Sequence, residues 1–281
     1  TKREMIIDGN KIAEDIYDKL KIQVKENNLK LRLAWGMVGE NPSSRKFLEL
    51  KKKAAEAIGI EAKIYYFPTT LTTRKLREEI VKLAKVKNIN GIVIELPLPD
   101  GINTQSVLNA ISEEKDVDVL SQKAQGSFFL GRSKILPPAV EAIKIVFKKH
   151  IIEFKGKTCA IFGYGLLVGK PIAYWLMAQG VTVTVINEHT PEPERYSRLA
   201  DIDISGVGKP GLIKDDMIKE KAVVIDFGYQ QSDRGVVGDV DYESVRKKTR
   251  LITPVPGGVG PMTVAMLLEN TLQRYKEIEN G

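Results

Sequence analysis

The sequence predicts an α/β fold in two domains, each a mainly parallel sheet covered by helices, with a cleft between them. Three observations carry this. Helical and strand-like patterns alternate from about residue 10 to residue 150, which is the signature of βαβ units. A second alternating series runs from residue 157 to residue 252. The pair Pro137-Pro138 and the loop Thr253-Pro-Val-Pro-Gly-Gly-Val-Gly-Pro-Met-Thr263 mark the crossings between the two series.

The elements follow in order. Ile12, Ile16, Leu20 and Val24 recur at helical spacing. The strand 31–38, the helix 43–57 and the strand 62–67 come next, then a helix 73–84 and the strand Gly91-Ile-Val-Ile-Glu95. Pro97 and Pro99 end that strand, which puts Glu95 at its carboxyl end, where open α/β sheets place ligands. A helix 138–149 leads into strands at 157–162, 181–186, 202–205, 222–226 and 251–252. The last helix is expected behind the Gly/Pro loop, capped by Thr263 and packed on the first domain. The expected domains are residues 1–137 with the terminal helix 262–281, and residues 138–261.

Bulk properties exclude several classes. The 281 residues are 43% hydrophobic and 28% charged, as in ordinary globular proteins. No apolar run approaches the roughly 20 residues of a membrane span, and no secretory pattern opens the chain, so no membrane role is expected. The one cysteine, Cys159, lies in an apolar run and reads as core, which suits a reducing cytoplasm. A net charge of +7 permits nucleic-acid binding, but the lysines are scattered over helices and no nucleic-acid module is present. No nucleic-acid partner and no metal site are expected.

Two loops carry chemistry. Phe162-Gly-Tyr-Gly-Leu-Leu-Val-Gly169 leaves a strand and opens a helix, with one residue more than the usual dinucleotide fingerprint. Gly163 and Gly165 would let the backbone approach a pyrophosphate at the helix N-terminus, as in a Rossmann-like domain. The Gly/Pro loop, taken as composition alone, is an ordinary strand-to-helix turn. Its prolines fix φ and its glycines allow close approach, so a rigid, open-faced loop is expected.

Pro256-Gly-Gly-Val-Gly-Pro-Met-Thr263 also matches a signature letter for letter, and through it the chain resembles the bifunctional methylenetetrahydrofolate dehydrogenase/cyclohydrolase family. Further matches occur in the family's order: Ile6–Ala13, Val38-Gly-Glu-Asn-Pro-Ser-Ser44 with Lys51-Lys-Lys-Ala54, Leu96-Pro-Leu-Pro99 and Glu114–Asp118. Val168–Pro171, Gly206–Gly211, Val224-Ile-Asp226 and Val237-Gly-Asp-Val240 complete them. The resemblance implies a folate substrate, a nicotinamide dinucleotide and a homodimer. It implies oxidation of methylenetetrahydrofolate, then hydrolysis of the methenyl product to formyltetrahydrofolate in one-carbon metabolism. It assigns Lys51 and Asp118 to catalysis, the latter gripping the pterin, and adds Glu95 at the position of a glutamine. Substrate contacts fall to Ser44, Phe47, Ile94, Leu96, Pro256, Gly257, Gly258, Val259, Gly260, Pro261, Met262 and Thr263. Cofactor contacts fall to Gly163, Tyr164, Gly165, Glu188 and Tyr229, while Asp116 and Glu114 read as surface acids.

The departures shape the expectations. Tyr164-Gly165 replaces Arg-Ser, and Glu188 stands where serine or arginine faces the 2′-phosphate of NADP. A carboxylate there suits the ribose hydroxyls of NAD. Charges about 4 Å apart interact by roughly 4 kcal/mol at an effective dielectric of 20. A third of that, as repulsion, disfavours NADP about tenfold; Arg195 or Arg198 would be the residues able to offset it. NAD or NADP is the expected cofactor, with NAD favoured. Phe47 replaces a tyrosine and keeps only its stacking face. Pro137-Pro-Ala-Val140 lacks a threonine that serves the nicotinamide side. Glu95 beside Lys51 either holds the lysine as an ammonium, weakening it as a base, or takes the proton itself. The rival reading is a monofunctional NAD-dependent dehydrogenase.

Overall fold

The structure, a computed structural model, describes residues 5–39, 42–233 and 235–280, with the side chains at 42, 43 and 280 excepted. Glu40 and Asn41 of the expected motif lie outside the described residues. The strands are β1 (Met5–Ile6), β2 (Arg32–Val38), β3 (Glu61–Phe67), β4 (Gly91–Ile94), β5 (Thr158–Phe162) and β6 (Thr182–Ile186), then β7 (Ile202–Ser205), β8 (Val223–Asp226), β9 (Gln230–Ser232), β10 (Gly235–Val237) and β11 (Leu251–Ile252).

Two compact units emerge, one of residues 14–138 with 264–281 and the other of residues 1–13 with 139–263. In the first unit the sheet is parallel, in the order β3-β2-β4. Its central strand is buried from Leu33 to Met37, and Trp35 is fully enclosed. Burial on both sheet faces is what parallel strands require, and the continuous apolar run of β2 supplies it. The helix Thr73–Lys85 presents Leu76, Ile80 and Leu83 on one face. Thr72 caps it by accepting the Lys75 N–H. Leu267, Leu268 and Leu272 of the last helix, Val259–Asn280, join the same core as Leu33 and Trp35.

In the second unit six parallel strands run β1-β11-β8-β7-β5-β6, and β9 pairs with β10 in a separate hairpin. The contacts place the described residues 5–13 here, whereas the expected boundaries put them in the other domain. Met5 and Ile6 hydrogen-bond alongside Leu251 and Ile252, so the chain's first strand extends this sheet. A two-residue strand is too short for periodicity to reveal.

The expected cap of the last helix is also corrected. That helix begins at Val259, so Thr263 lies within it and its hydroxyl donates to the Gly260 carbonyl (2.7 Å). Pro261 sits in the first turn, where a missing N–H costs nothing, so the helix starts ahead of the threonine.

Candidate active site

The site in the first unit is built on the carboxyl end of β4 and on the helix Pro42–Ala57. The N–H of Glu95 still bonds the Gly36 carbonyl (2.8 Å), extending the ladder before the cis Leu96–Pro97 bond. Ile94 is buried and Leu96 half-buried on either side of it. Ser44, Phe47 and Lys51 rise from one face of the helix, as i, i+3, i+7 spacing dictates. Lys51 Nζ donates to Glu95 Oε2 at 2.9 Å and to Oε1 at 3.2 Å. The two side chains are 11% and 16% exposed, so water screens the pair only weakly. The same ammonium lies 4.5 Å from the centre of the Phe47 ring, within cation–π range.

Asp118 is half-buried beside this pair. Desolvation pushes its carboxyl up to about 7, Asp116 adds to the rise, and Lys51 opposes it. Among the described residues no hydrogen bond engages its oxygens. Asp116, expected at the surface, is fully buried. It accepts the N–H groups of Leu120 (3.0 Å) and Ser121 (2.6 Å), and so shapes the loop that presents Asp118. A charged residue type does not disclose that the following turn supplies its partners. Burial raises its carboxyl above the usual range, against the pull of these bonds. Glu114 is exposed, as expected. Asn270 of the last helix donates to Val117 O and Leu136 O, both at 2.9 Å, tying that helix to the same loop.

The site in the second unit lies past the carboxyl ends of β5, β6, β7 and β8. Gly163 has φ +93°, which only glycine adopts cheaply. A Cβ at Gly169 would collide with the Gly163 carbonyl, so the turn into the helix Gly169–Ala178 needs glycine at both places. Space beside Gly165 is open within 4 Å. Tyr164 is 55% exposed with Lys170 Nζ 5.4 Å from its ring centre, and Tyr229 is 46% exposed. Open backbone, exposed rings and the carboxylate of Glu188 just past β6 fit a dinucleotide. Glu188 is free to face one, with its side chain 82% exposed and His189 Nε2 at 3.8 Å. The arginines able to offset it are engaged: Arg195 pairs with Glu192 (2.6 Å) and Arg198 Nε donates to Asp216 O (2.7 Å).

The Gly/Pro loop is less open than expected. Val259 and Met262 are buried, while Pro256 and Gly260 are exposed and Gly257, Pro261 and Thr263 half-buried. Gly258 is buried against the Pro254 carbonyl with no room for a side chain. The Gly9 N–H bonds Gly257 O (2.8 Å), pinning the loop to the N-terminal segment.

A six-stranded parallel sheet with a glycine turn at its carboxyl edge defines a nucleotide-binding α/β enzyme. Comparison narrows the class. Residues 7–118 match the family model described as tetrahydrofolate dehydrogenase/cyclohydrolase, catalytic domain, and residues 137–279 match its NAD(P)-binding domain. The chain belongs to the tetrahydrofolate dehydrogenase/cyclohydrolase family. It is 38% identical to the bifunctional protein FolD of Caldanaerobacter subterraneus over 98% of both chains. The crystal structure of the bifunctional FolD of Campylobacter jejuni superposes with a TM-score of 0.92 at 37% identity, covering 98% of this chain and 99% of that one. The Trypanosoma brucei dehydrogenase-cyclohydrolase, complexed with NADP cofactor and inhibitor, gives 0.92 at 33% identity over 99% of each.

Proposed function

We infer that this protein oxidises methylenetetrahydrofolate to the methenyl form and hydrolyses that product to formyltetrahydrofolate. The group Lys51–Glu95–Asp118, in the unit matching the family's catalytic domain, carries the reading. Full-length similarity to bifunctional relatives favours two activities over the monofunctional alternative.

Asp118 is assigned to the pterin, because a carboxylate accepts two parallel N–H groups from an aminopyrimidine edge. Phe47 offers its ring for stacking, with Ser44, Ile94 and Leu96 around it. Pro256–Thr263 is assigned to substrate by its family signature. The dinucleotide, when bound, accepts the hydride. Orientation is the chain's main contribution to that step. Hydrolysis also needs a proton taken from water, and Lys51 is the residue assigned to it. Both Glu95 oxygens accept from Lys51 Nζ, so the group assigned to water is tied up in an ion pair, and this pairing restrains the hydrolytic half.

For the cofactor site, Gly163, Tyr164, Gly165, Glu188 and Tyr229 are assigned to a nicotinamide dinucleotide. We assign the preference to NAD, on the exposed Glu188 and the engagement of both nearby arginines.

The test is a paired assay of the purified protein. Reduced dinucleotide should form from methylenetetrahydrofolate with a higher kcat/KM for NAD than for NADP. Methenyltetrahydrofolate hydrolysis should be measurable without dinucleotide and lost in Lys51→Ala. No reduced dinucleotide with either cofactor would sink the reading.

A further inference from the structure

Two acids outside the assigned site are buried side by side in the second unit, Asp226 (3% exposed) and Asp239 (fully buried). Asp226 stands at the end of β8 and Asp239 follows β10. Between them they accept six hydrogen bonds. Asp226 Oδ1 takes the N–H of Gly228 (2.7 Å) and of Asp239 (3.2 Å), and its Oδ2 takes that of Val240 (3.0 Å). Asp239 Oδ2 takes the hydroxyl of Ser205 (2.6 Å) and the N–H of Val207 (2.8 Å), and its Oδ1 takes the N–H of Lys209 (2.7 Å). The N–H of Asp226 itself donates to Thr253 Oγ1 (2.8 Å) at the head of the Gly/Pro loop.

The backbone is shaped to admit these carboxylates. A Cβ at Gly228 would strike the side chain of Asp239, and one at Gly238 would strike the carboxylate of Asp226. Two glycines therefore make room for two acids in one buried place. Paired buried acids without a cation are costly unless N–H dipoles satisfy them, and here every oxygen is engaged. The segment they hold reaches the nucleotide turn directly. A Cβ on Gly163 would lie 3.2 Å from Val207 Cγ2, and one on Gly206 would press into Val168. The loop 206–209 thus forms the floor on which the turn 163–169 rests.

We propose that Asp226 and Asp239 are positioning residues for the dinucleotide, a two-carboxylate clasp that fixes the loop 206–209 beneath the glycine turn. Neither acid is placed against the dinucleotide; each acts through the loop it holds. The inference rests on the dehydrogenase reading above. A turn that must offer fixed N–H groups to a pyrophosphate loses affinity when its support can move.

The experiment compares Asp239→Asn and Ser205→Ala with the parent protein. Asparagine turns an N–H donor toward backbone N–H groups, whereas Ser205→Ala removes only the bond at 2.6 Å. The expected result for Asp239→Asn is a dinucleotide KM and a calorimetric Kd for NADH both raised about tenfold or more. Its kcat at saturating dinucleotide should stay within about threefold, and methenyltetrahydrofolate hydrolysis, assayed without dinucleotide, should be unchanged. Ser205→Ala should show the same split at about threefold, and it decides the matter if Asp239→Asn does not fold. Unchanged KM and Kd in a folded variant would overturn the proposal, as would an equal fall of both activities. A parent protein that forms no reduced dinucleotide at all would instead remove the underlying reading.

Discussion

Lys51 and Glu95 form a two-point ion pair, with Nζ 2.9 Å from one carboxylate oxygen and 3.2 Å from the other. The pair joins a helix to a strand end within one unit and is almost closed to solvent. Glutamine at position 95 could accept from Lys51 without a formal charge. Glu95→Gln should therefore loosen the two-point hold on Lys51 Nζ and raise the rate of methenyltetrahydrofolate hydrolysis about threefold or more. Dehydrogenation should change little. A fall in hydrolysis would show instead that the carboxylate takes the proton. Lys51→Met should lower hydrolysis by about a hundredfold, the lower range for a lost acid–base group.

Asp118 gives a pH prediction. Its carboxyl is held up to about 7 by burial, so the form able to accept two N–H groups disappears as pH falls below that value. The kcat/KM for methylenetetrahydrofolate should drop about tenfold per pH unit on the acid side, with a midpoint near 7. Asp118→Asn should abolish this limb and start from a much lower plateau. A limb of the same midpoint in the variant would assign it to another group.

Glu188 sets the cofactor prediction. Replacing it with serine removes the charge opposing a 2′-phosphate while leaving the Asn187–Thr190 turn, whose bonds run through the Asn187 and Thr190 side chains and not through that of Glu188. The ratio of kcat/KM for NADP to that for NAD should rise about tenfold, the equivalent of roughly 1.4 kcal/mol. An unchanged ratio would remove Glu188 from cofactor choice.

Asp203 bears on stability. It lies on β7 with no exposed surface, and among the described residues neither carboxylate oxygen has a hydrogen-bond partner. Ser197 directs its hydroxyl to Met217 O (2.6 Å). Burial lifts the Asp203 carboxyl well above its ordinary range. The folded protein therefore holds this proton to higher pH than the unfolded chain. The stability it confers is complete below the unfolded value near 3.8 and is lost as pH rises through the folded value. Asp203→Val should raise Tm at pH 8 and have much less effect near pH 4.5. The gain at pH 8 should be about 1–3 kcal/mol, the cost of an unsatisfied buried polar group. Paired thermal melts at the two values check it.

Much of this was legible in the chain because alternation and apolar runs report burial directly. Ile202–Ser205 and Leu251–Ile252 fall at their expected limits, and the helix Pro138–Lys149 does too. The ion pair of Lys51 and Glu95 was one of two arrangements foreseeable from helix spacing and a proline-terminated strand. What escaped notice depends on backbone groups that residue letters do not display. Asp116 looked like a surface acid until Leu120 and Ser121 turned their N–H groups toward it. Thr263 reads as a cap from its letter alone, but the tolerance of Pro261 within a first turn lets the helix start ahead of it, at Val259. The hairpin of β9 and β10 is written in Gln-Gln-Ser and Gly-Val-Val, too polar and too short for a period of two to stand out.

Residues 1–13 share a unit with 139–263, while 14–138 share one with 264–281. Each unit is thus stitched from two separate stretches of polypeptide, and the chain passes between them three times. Neither can be excised as one uninterrupted fragment. A ribosome completes neither before residue 263 has been made.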